Sequence, residues 1–420
     1  MRFVRTWLGF LVGIVLVSCP AQGRSDTPDG ASVRLGGALR FNAFYKSWEQ
    51  ASGAGPSAYD LRFDVLRLRV DAKAGPFFAR GEYEFYEGYS LLHRGYLQWA
   101  SGDTWDVRLG VNQVPFGLLP GACHNWFFVL PYYVGLEYDF DRGVKLRWKW
   151  RGLVAHVAYY LGGEGHFVGD SRASARYSYD IVPVNVSKVP PGQQAYGARS
   201  NEEASQGNVR LAYTLRHSEN AATEFGASAE FGGVRNKDTG RLGLRWAAAV
   251  HVDGRYGPLH VQLQALRYEI DLANPPQQDR NFVMMGAYDA PYQVASHADG
   301  VVLGVAYDLG PVGPLDGLQL YNDYSTLIKR QTSPPTSHRD VNGILKRQTS
   351  YPTSHQNVVG FLVTKGPLRA YVDVAIGKNS PWLSPSYAKS LSTGDGSDKW
   401  HVRFNINLGY YFESSWWGRQ

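Results

Sequence analysis

Cysteine is nearly absent. Only Cys19 and Cys123 occur in 420 residues, and Cys19 lies in a stretch read below as a leader. The mature chain then has no partner for an internal disulfide and no thiolate set for a metal. Long apolar runs are missing too. Past residue 20 no stretch approaches the roughly 20 uncharged apolar residues a helix needs to cross a bilayer, which excludes a helical membrane protein. Nor is there a phosphate-cradling glycine loop, a paired-histidine helix of the zinc-protease kind or a strand–turn–helix around a serine. The sequence therefore offers no catalytic residue, no cofactor and no resident metal.

Tyrosine, tryptophan and glycine are abundant instead. Aromatic residues make up 14% of the chain, with 27 Tyr and 47 Gly, at a mean hydropathy of −0.31. That mixture suits sheets whose two faces meet different solvents, with aromatic girdles where they change over. The stretch from Trp400 to Phe412 carries apolar or aromatic side chains at even positions and mostly polar ones at odd positions. Because successive strand side chains point to opposite faces, this segment has an oily face and a wet face, as a wall with lipid outside and water inside requires.

Arg2 and Arg5 precede an apolar run from Trp7 to Val17 and then small residues, the order of a secretory leader. Cleavage after Ala21-Gln22-Gly23 divides the chain into a leader, 1–23, and a mature part, 24–420. Leu16-Val17-Ser18-Cys19 offers a lipoprotein-type site as the alternative. Export argues against nucleic acid as the reason for the net charge of +6, leaving a membrane surface or an anion path.

Alternation and turn residues place about 16 strands between residues 32 and 412, with a short tail beyond. Short turns such as Lys73-Ala74-Gly75-Pro76, Arg151-Gly152 and Lys365-Gly366-Pro367 alternate with longer connections near 47–59, 87–92, 113–141, 162–206, 233–240, 272–298, 328–356 and 379–399. Every second connection is the longer one, as in an outer-membrane barrel with its short turns toward the periplasm. The fold class is all-β: a transmembrane antiparallel β-barrel whose third outer loop folds inward. The strand from Leu61 to Asp71 changes phase at Val65-Leu66, the mark of a bulge. A segment from Lys329 to Gly343 recurs from Lys346 to Gly360, with 11 of 15 positions identical. An odd offset of 17 inside a strand would turn every later side chain to the wrong face, so the extra copy belongs in an outer loop.

The third long connection is unusually apolar, running Gln113-Val114-Pro115-Phe116-Gly117 and later Asn125-Trp126-Phe127-Phe128-Val129-Leu130. Surface this oily must pack against something. Folded into the lumen it would form a constriction at Asn125, Trp126, Phe127 and Phe128; covering the rim or a subunit contact is the alternative. A charge at mid-depth on a lipid face costs about 2–4 kcal/mol, so charged positions within strands mark the lumen. They include Arg40, Arg62, Arg80, Arg94, Arg108, Lys145, Arg147, Lys149, Arg210, Arg245, Arg369 and Arg403. Roughly 18 basic residues share the inward positions with about ten acidic ones. A net positive lumen favours anions, unless the cations pair with facing acids and merely brace the wall. His156, His251, His260 and His401 read as polar lining, and Gly394-Asp395-Gly396-Ser397-Asp398 reads as a turn.

The Gln113-Val114-Pro115-Phe116-Gly117 segment after a strand, the arginine-rich inward face, the strand rhythm and the closing Gly409-Tyr410-Tyr411-Phe412 together resemble bacterial outer-membrane porins, nearest the phosphate-selective porin O and P family. That resemblance spans nearly the whole mature chain. It implies a trimer in the outer membrane of a Gram-negative-type bacterium, in contact with outer-membrane lipid, with the third loop as constriction. The chain departs from the family in carrying Glu413 to Gln420 after Phe412. The function expected is passive diffusion of small hydrophilic solutes with anions favoured. A carbohydrate porin is the alternative, and an outer-membrane barrel enzyme or a plugged structural barrel is the alternative of another class.

Overall fold

Sixteen antiparallel strands close on themselves in the computed structural model, which describes residues 30–49, 58–184, 200–276, 279–331, 337–339, 345–347 and 351–418. The leader read at 1–23 lies outside these. The strands are β1 (Ser32–Lys46), β2 (Tyr59–Ala74), β3 (Phe77–Phe85), β4 (Ser90–Ser101), β5 (Trp105–Gln113), β6 (Phe140–Trp150), β7 (Leu153–Gly163) and β8 (Asn201–Ser218). They continue as β9 (Ala221–Asn236), β10 (Leu242–Tyr256), β11 (Leu259–Asp271), β12 (His297–Val312), β13 (Leu315–Lys329), β14 (Ser354–Lys365), β15 (Leu368–Lys378) and β16 (His401–Glu413). Each pairs with its neighbours in the chain, and β16 returns to β1 from Gly36↔Glu413 to Lys46↔Arg403. In hydrocarbon nothing else can satisfy a strand's N–H and C=O groups, so this closure allows the sheet to cross a bilayer.

The alternation seen in the sequence becomes two faces. Along β8, Val209, Leu211 and Tyr213 are exposed while Asn208, Arg210 and Ala212 are buried; along β10, Leu244 and Val250 are exposed while Arg245 and His251 are buried. The apolar face is the outer one. Near the long-connection ends of β11 and β12, charges of opposite sign on it neutralise each other. Arg267 Nε lies 2.5 Å from Asp299, and Arg330 lies 2.8 Å from Glu269.

Two register slips shape the first hairpins. One lies between Arg40 and Phe41, whose partners are Val65 and Phe63, so Asp64 is the extra residue. The bulge therefore falls one residue before the Val65-Leu66 break expected from the sequence. The second slip, between Glu82 and Tyr83, leaves His93 as the extra residue on β4. Each bulge brings one more polar side chain to the inner wall than strict alternation allows.

The short turns and long connections fall as the sequence indicated, with the long ones at 47–58, 86–89, 114–139, 164–200, 237–241, 272–296, 330–353 and 379–400. Two long connections pair with one another: Asp180–Ile181 joins Phe282–Ala287, which also pairs with Ala290–Ala295. The repeat straddles the seventh. Lys329, opening its first copy, ends β13, whereas Ser354 to Gly360, closing its second copy, begin β14. Beyond β16 the chain stays attached: Ser414 exchanges hydrogen bonds with Leu35, and Trp417 pairs with Val33.

Val250, 59% exposed near the middle of β10, tests which face meets lipid. Val250→Arg should destabilise the folded protein in bilayers by about 2–4 kcal/mol. An unchanged urea midpoint in vesicles would refute the assignment.

Candidate functional site

All twelve cations singled out in the sequence fall on the inner phase of their strands. Asp106, Arg147, His156 and Arg210 stand in register across β5, β6, β7 and β8, with Arg108 opposite Lys145 one step along. One carboxylate serves both neighbouring guanidiniums, since Arg108 Nε lies 3.2 Å from Asp106 and Arg147 pairs with its other oxygen. Asp71 on β2 is shared more heavily, by Arg80 at 2.6 Å, Arg34 at 2.9 Å and Arg69 at 3.3 Å. Arg40 pairs with Asp64 at 2.8 Å, Arg62 with Asp60 at 2.5 Å, Arg94 with Glu82 at 3.3 Å and Arg210 with Glu224 at 2.6 Å. Arg245 bridges Glu203 and Glu230.

Among the described residues no carboxylate pairs with Lys145, Lys149, Arg369 or Arg403. Arg369 and Arg403 instead lie over aromatic rings, Tyr411 at 4.8 Å and Phe44 at 4.5 Å. Lys145 donates to the Gln113 carbonyl. Ion pairing therefore takes up much of the positive charge but not all of it.

At Asp106 and Asp71 exposure separates the partners. The side chains of Arg108 and Arg147 keep 28% and 32% of their surface open, whereas Asp106 between them keeps 0%. Around Asp71, also at 0%, Arg34, Arg69 and Arg80 keep 23%, 21% and 20%. The carboxylates sit at the foot of the wall and the longer guanidiniums reach past them. The order reverses elsewhere: Glu413, 44% exposed, also pairs with Arg34 and Arg69, and Arg210 keeps 3% against 26% for Glu224.

The connection 114–139 makes hydrogen bonds with side chains of β8, β9, β11, β13 and β14. Gly117 N donates to Ser228 Oγ on β9 at 2.8 Å, Leu118 N to Gln264 Oε1 on β11 at 2.8 Å, and Arg210 Nε to the Gly117 carbonyl at 2.7 Å. Gly117 has φ +58°, and a Cβ there would fall 2.2 Å from Gln264 Oε1; the approach requires glycine. Farther on, His124 N and the Asn125 side chain each donate to Asp323 Oδ2 on β13 at 2.7 Å. Leu130 N donates to Ser325 Oγ, and Gln356 on β14 donates to the Phe128 carbonyl.

The residues assigned to a constriction divide accordingly. Asn125 is tied to Asp323; Phe127 is buried on a patch of Ala306, Tyr321, Val358 and Ala375 drawn from β12 to β15, with Trp126 packed beside it. Phe128 stacks on Tyr132 with centroids 3.9 Å apart. The aromatic residues here serve as anchors. Their covering of Ser325, Gln356 and Asp373, each no more than 1% exposed, leaves the arginine wall as the more open part of the inner face.

Several partners escape sequence reading. His124 Nδ1 lies 2.7 Å from Asp323, His124 Nε2 lies 2.7 Å from His260 Nδ1, and His260 Nε2 lies 2.8 Å from Asp253. This Asp–His–His–Asp chain ties the connection to β10, β11 and β13. A polar His-Asn pair inside an apolar loop was its only visible signal. Arg67 and His93, both on Glu84, escaped because the bulges shift the alternation around them. Two serine–histidine contacts also occur, but neither forms a relay. Ser397 and Asp395 meet the same nitrogen of His401, at 3.1 and 3.4 Å. Ser296 is fully buried, with its hydroxyl donated to the Arg280 carbonyl.

No protein-family profile and no curated protein matches this sequence. Among solved structures it is similar to the outer membrane channel DcaP of Acinetobacter baumannii (13% identity, TM-score 0.57), covering 93% of this chain and 99% of that one. It is also similar to an anion-selective porin from Comamonas acidovorans (14%, 0.53; 91% and 100%). OmpT, an outer membrane protein of Vibrio cholerae in its trimer form, gives 13% and 0.52, over 91% and 100%. Likeness at such low identity establishes the fold, an outer-membrane barrel. None of the three is described as phosphate-selective.

Glu137 gives the connection a pH signature. Burial pushes its carboxyl up to about 8, against the 2.5 Å hydrogen bond from Ala122 N, which favours the charged form, while Asp323 adds to the rise. A folded-state value above the unfolded one means that this contribution to stability is complete below about pH 4.5 and is lost as pH rises through about 8. Glu137→Gln keeps an acceptor for Ala122 and should reduce the fall in thermal midpoint between about pH 6 and about pH 9. Identical pH profiles for the two proteins would show that the carboxyl does not carry the effect.

Proposed function

We propose that this protein is an outer-membrane porin through which small hydrophilic solutes diffuse passively, with anions favoured. The observation that carries the reading is the unequal exposure of the ion pairs. Open guanidiniums stand over closed carboxylates at Asp71 and Asp106. A low-dielectric, water-filled passage lined in this way concentrates ions of negative sign.

The connection 114–139 narrows the lumen from the side of β9 to β14, held by hydrogen bonds to Ser228, Gln264, Asp323 and Ser325 and, at its edge, by Arg210. Solutes then pass between this segment and the basic wall of β2 to β8. Width sets the size limit, and Arg108 and Arg147, the open cations of this row, set the sign preference. Guanidinium suits planar oxyanions because its fork can meet two oxygens at once. Assembly as a homotrimer in the outer membrane accords with the fold.

Single-channel recording of the refolded protein under a KCl gradient tests both parts. Open channels with a chloride-favouring reversal potential are expected. Arg108→Ala with Arg147→Ala should lower the chloride-to-potassium permeability ratio by a factor of about two to three, as the local potential weakens. A ratio that stays put would remove these residues from the selectivity mechanism, and a silent bilayer from folded protein would leave a plugged barrel.

A further inference from the structure

At the outer-loop end of the barrel lies a group of acids that touches the basic wall only where Arg245 pairs with Glu203 and Glu230. Asp139 ends the third connection, Asp141 begins β6, Glu164 follows β7, and Asp180 lies in the fourth connection. Glu203 on β8 and Glu230 on β9 complete the group. All six side chains are buried. Among the described residues, Arg245 and Arg176 are the cations paired with them, Arg245 with Glu203 and Glu230 and Arg176 with Asp180. Two positive charges against six ionised carboxyls leave a large uncompensated negative charge out of water, which is strongly unfavourable.

The satisfied and unsatisfied atoms show where relief is needed. Asp141 Oδ2 receives Gln206 Nε2 at 2.9 Å, Asp180 Oδ2 takes Arg176, and Glu164 Oε1 takes the N–H groups of Tyr177 and Ser178 at 2.7 and 2.6 Å. The second oxygen of each of these carboxyls, together with Asp139 Oδ1, is buried without an N–H donor, and the Glu164 and Asp180 carboxyls face each other within hydrogen-bond reach. Also buried without a donor is the amide oxygen of Gln206, a residue only 2% exposed whose carboxamide abuts Asp141. One carboxylate oxygen each from Asp139, Asp141 and Asp180 lie within 4.8 Å of one another. Two oxygens on one calcium ion can be separated by at most about 5 Å, twice the usual bond length, whereas magnesium allows only about 4 Å.

We propose that Asp139, Asp141 and Asp180 bind a divalent cation of the calcium class, with Glu164 and the Gln206 carbonyl completing an oxygen shell. Hard oxygen donors with flexible spacing are the chemistry such an ion takes. Gly163, beside Asp141 in the β6–β7 register, lets the Asp180 carboxyl come close: a Cβ there would lie 2.1 Å from Asp180 Oδ2. The ion would join the end of the third connection, the wall and the fourth connection at one point. Burial, reinforced by Asp180, Glu203, Glu164 and Glu230, holds the Asp139 carboxyl well above the usual range, which is the same excess of negative charge seen from another side. Protons shared among the acids are the competing means of relief.

The test is terbium luminescence, excited through tyrosine, on the refolded full-length chain stripped with chelator and checked for heat-modifiable migration. At neutral pH one saturable site per chain, displaced by calcium, is expected. Asp141→Asn and Asp180→Asn should each weaken binding at least tenfold, while Asp395→Asn, in the separate Gly394–Asp398 turn, should not change it. Folded wild-type protein that binds no ion would overturn the proposal in favour of shared protons. Binding unaltered in both Asp141→Asn and Asp180→Asn would overturn it by placing the ion elsewhere. Should those variants not fold, wild-type thermal midpoints decide: a rise of several degrees with calcium over chelator supports the site, and equal midpoints reject it.

Discussion

The backbone pairing of β16 with β1 is the interaction on which everything else rests. An open sheet would leave unpaired peptide groups in hydrocarbon at several kcal/mol each; a closed one leaves none. Once closed, the sheet has an inside, and strand alternation commits every second side chain to it. The apolar half of the sequence turns to lipid and the polar half must be satisfied within a confined space. The ion pairs at Asp71 and Asp106, the bulged Asp64 and His93, and the anchoring of the third connection are all responses to that confinement. The tail answers the same demand, as Trp417 and Ser414 continue pairing along β1 where the last strand of the closed sheet ends.

Polar satisfaction is distributed unevenly around the barrel. On the β1–β6 side it comes from ion pairs in which several arginines share one acid. On the β9–β14 side it comes from the backbone of the connection 114–139, whose N–H groups use Ser228, Gln264, Asp323 and Ser325 as acceptors. An apolar, aromatic loop can lie against a polar wall because its own peptide groups match that wall while Phe127 packs on an apolar patch of β12 to β15.

The strand count, the alternation of loop lengths and the facing of all twelve cations were legible in the sequence, because a period of two and the turn residues are local properties. What was illegible depends on pairing across the barrel. Arg67 sits on Glu84 only because one residue is extra at Asp64. His124 meets His260 and Asp323 from positions 136 and 199 residues away, a distance no local pattern encodes. The acids at Asp139, Asp141 and Asp180 come from two connections and a strand and show no ligand spacing. Phe127 was correctly singled out as oily yet was given the lumen to line, because nothing local distinguishes a ring that faces water from one seated on a wall patch.

The duplicated segment carries a lesson about how such walls change over evolutionary time. Its first copy supplies the last residue of β13, and its second copy supplies the opening of β14. A copying event that spans a loop together with both flanking strand ends hands each strand the residues it had before, whatever the length copied. Parity, which would be fatal to an insertion inside the wall, then goes unread. Barrels of this kind can therefore lengthen their outer loops in single, arbitrary steps, and the surface seen by phage, antibody or host can be rewritten without retesting the fold.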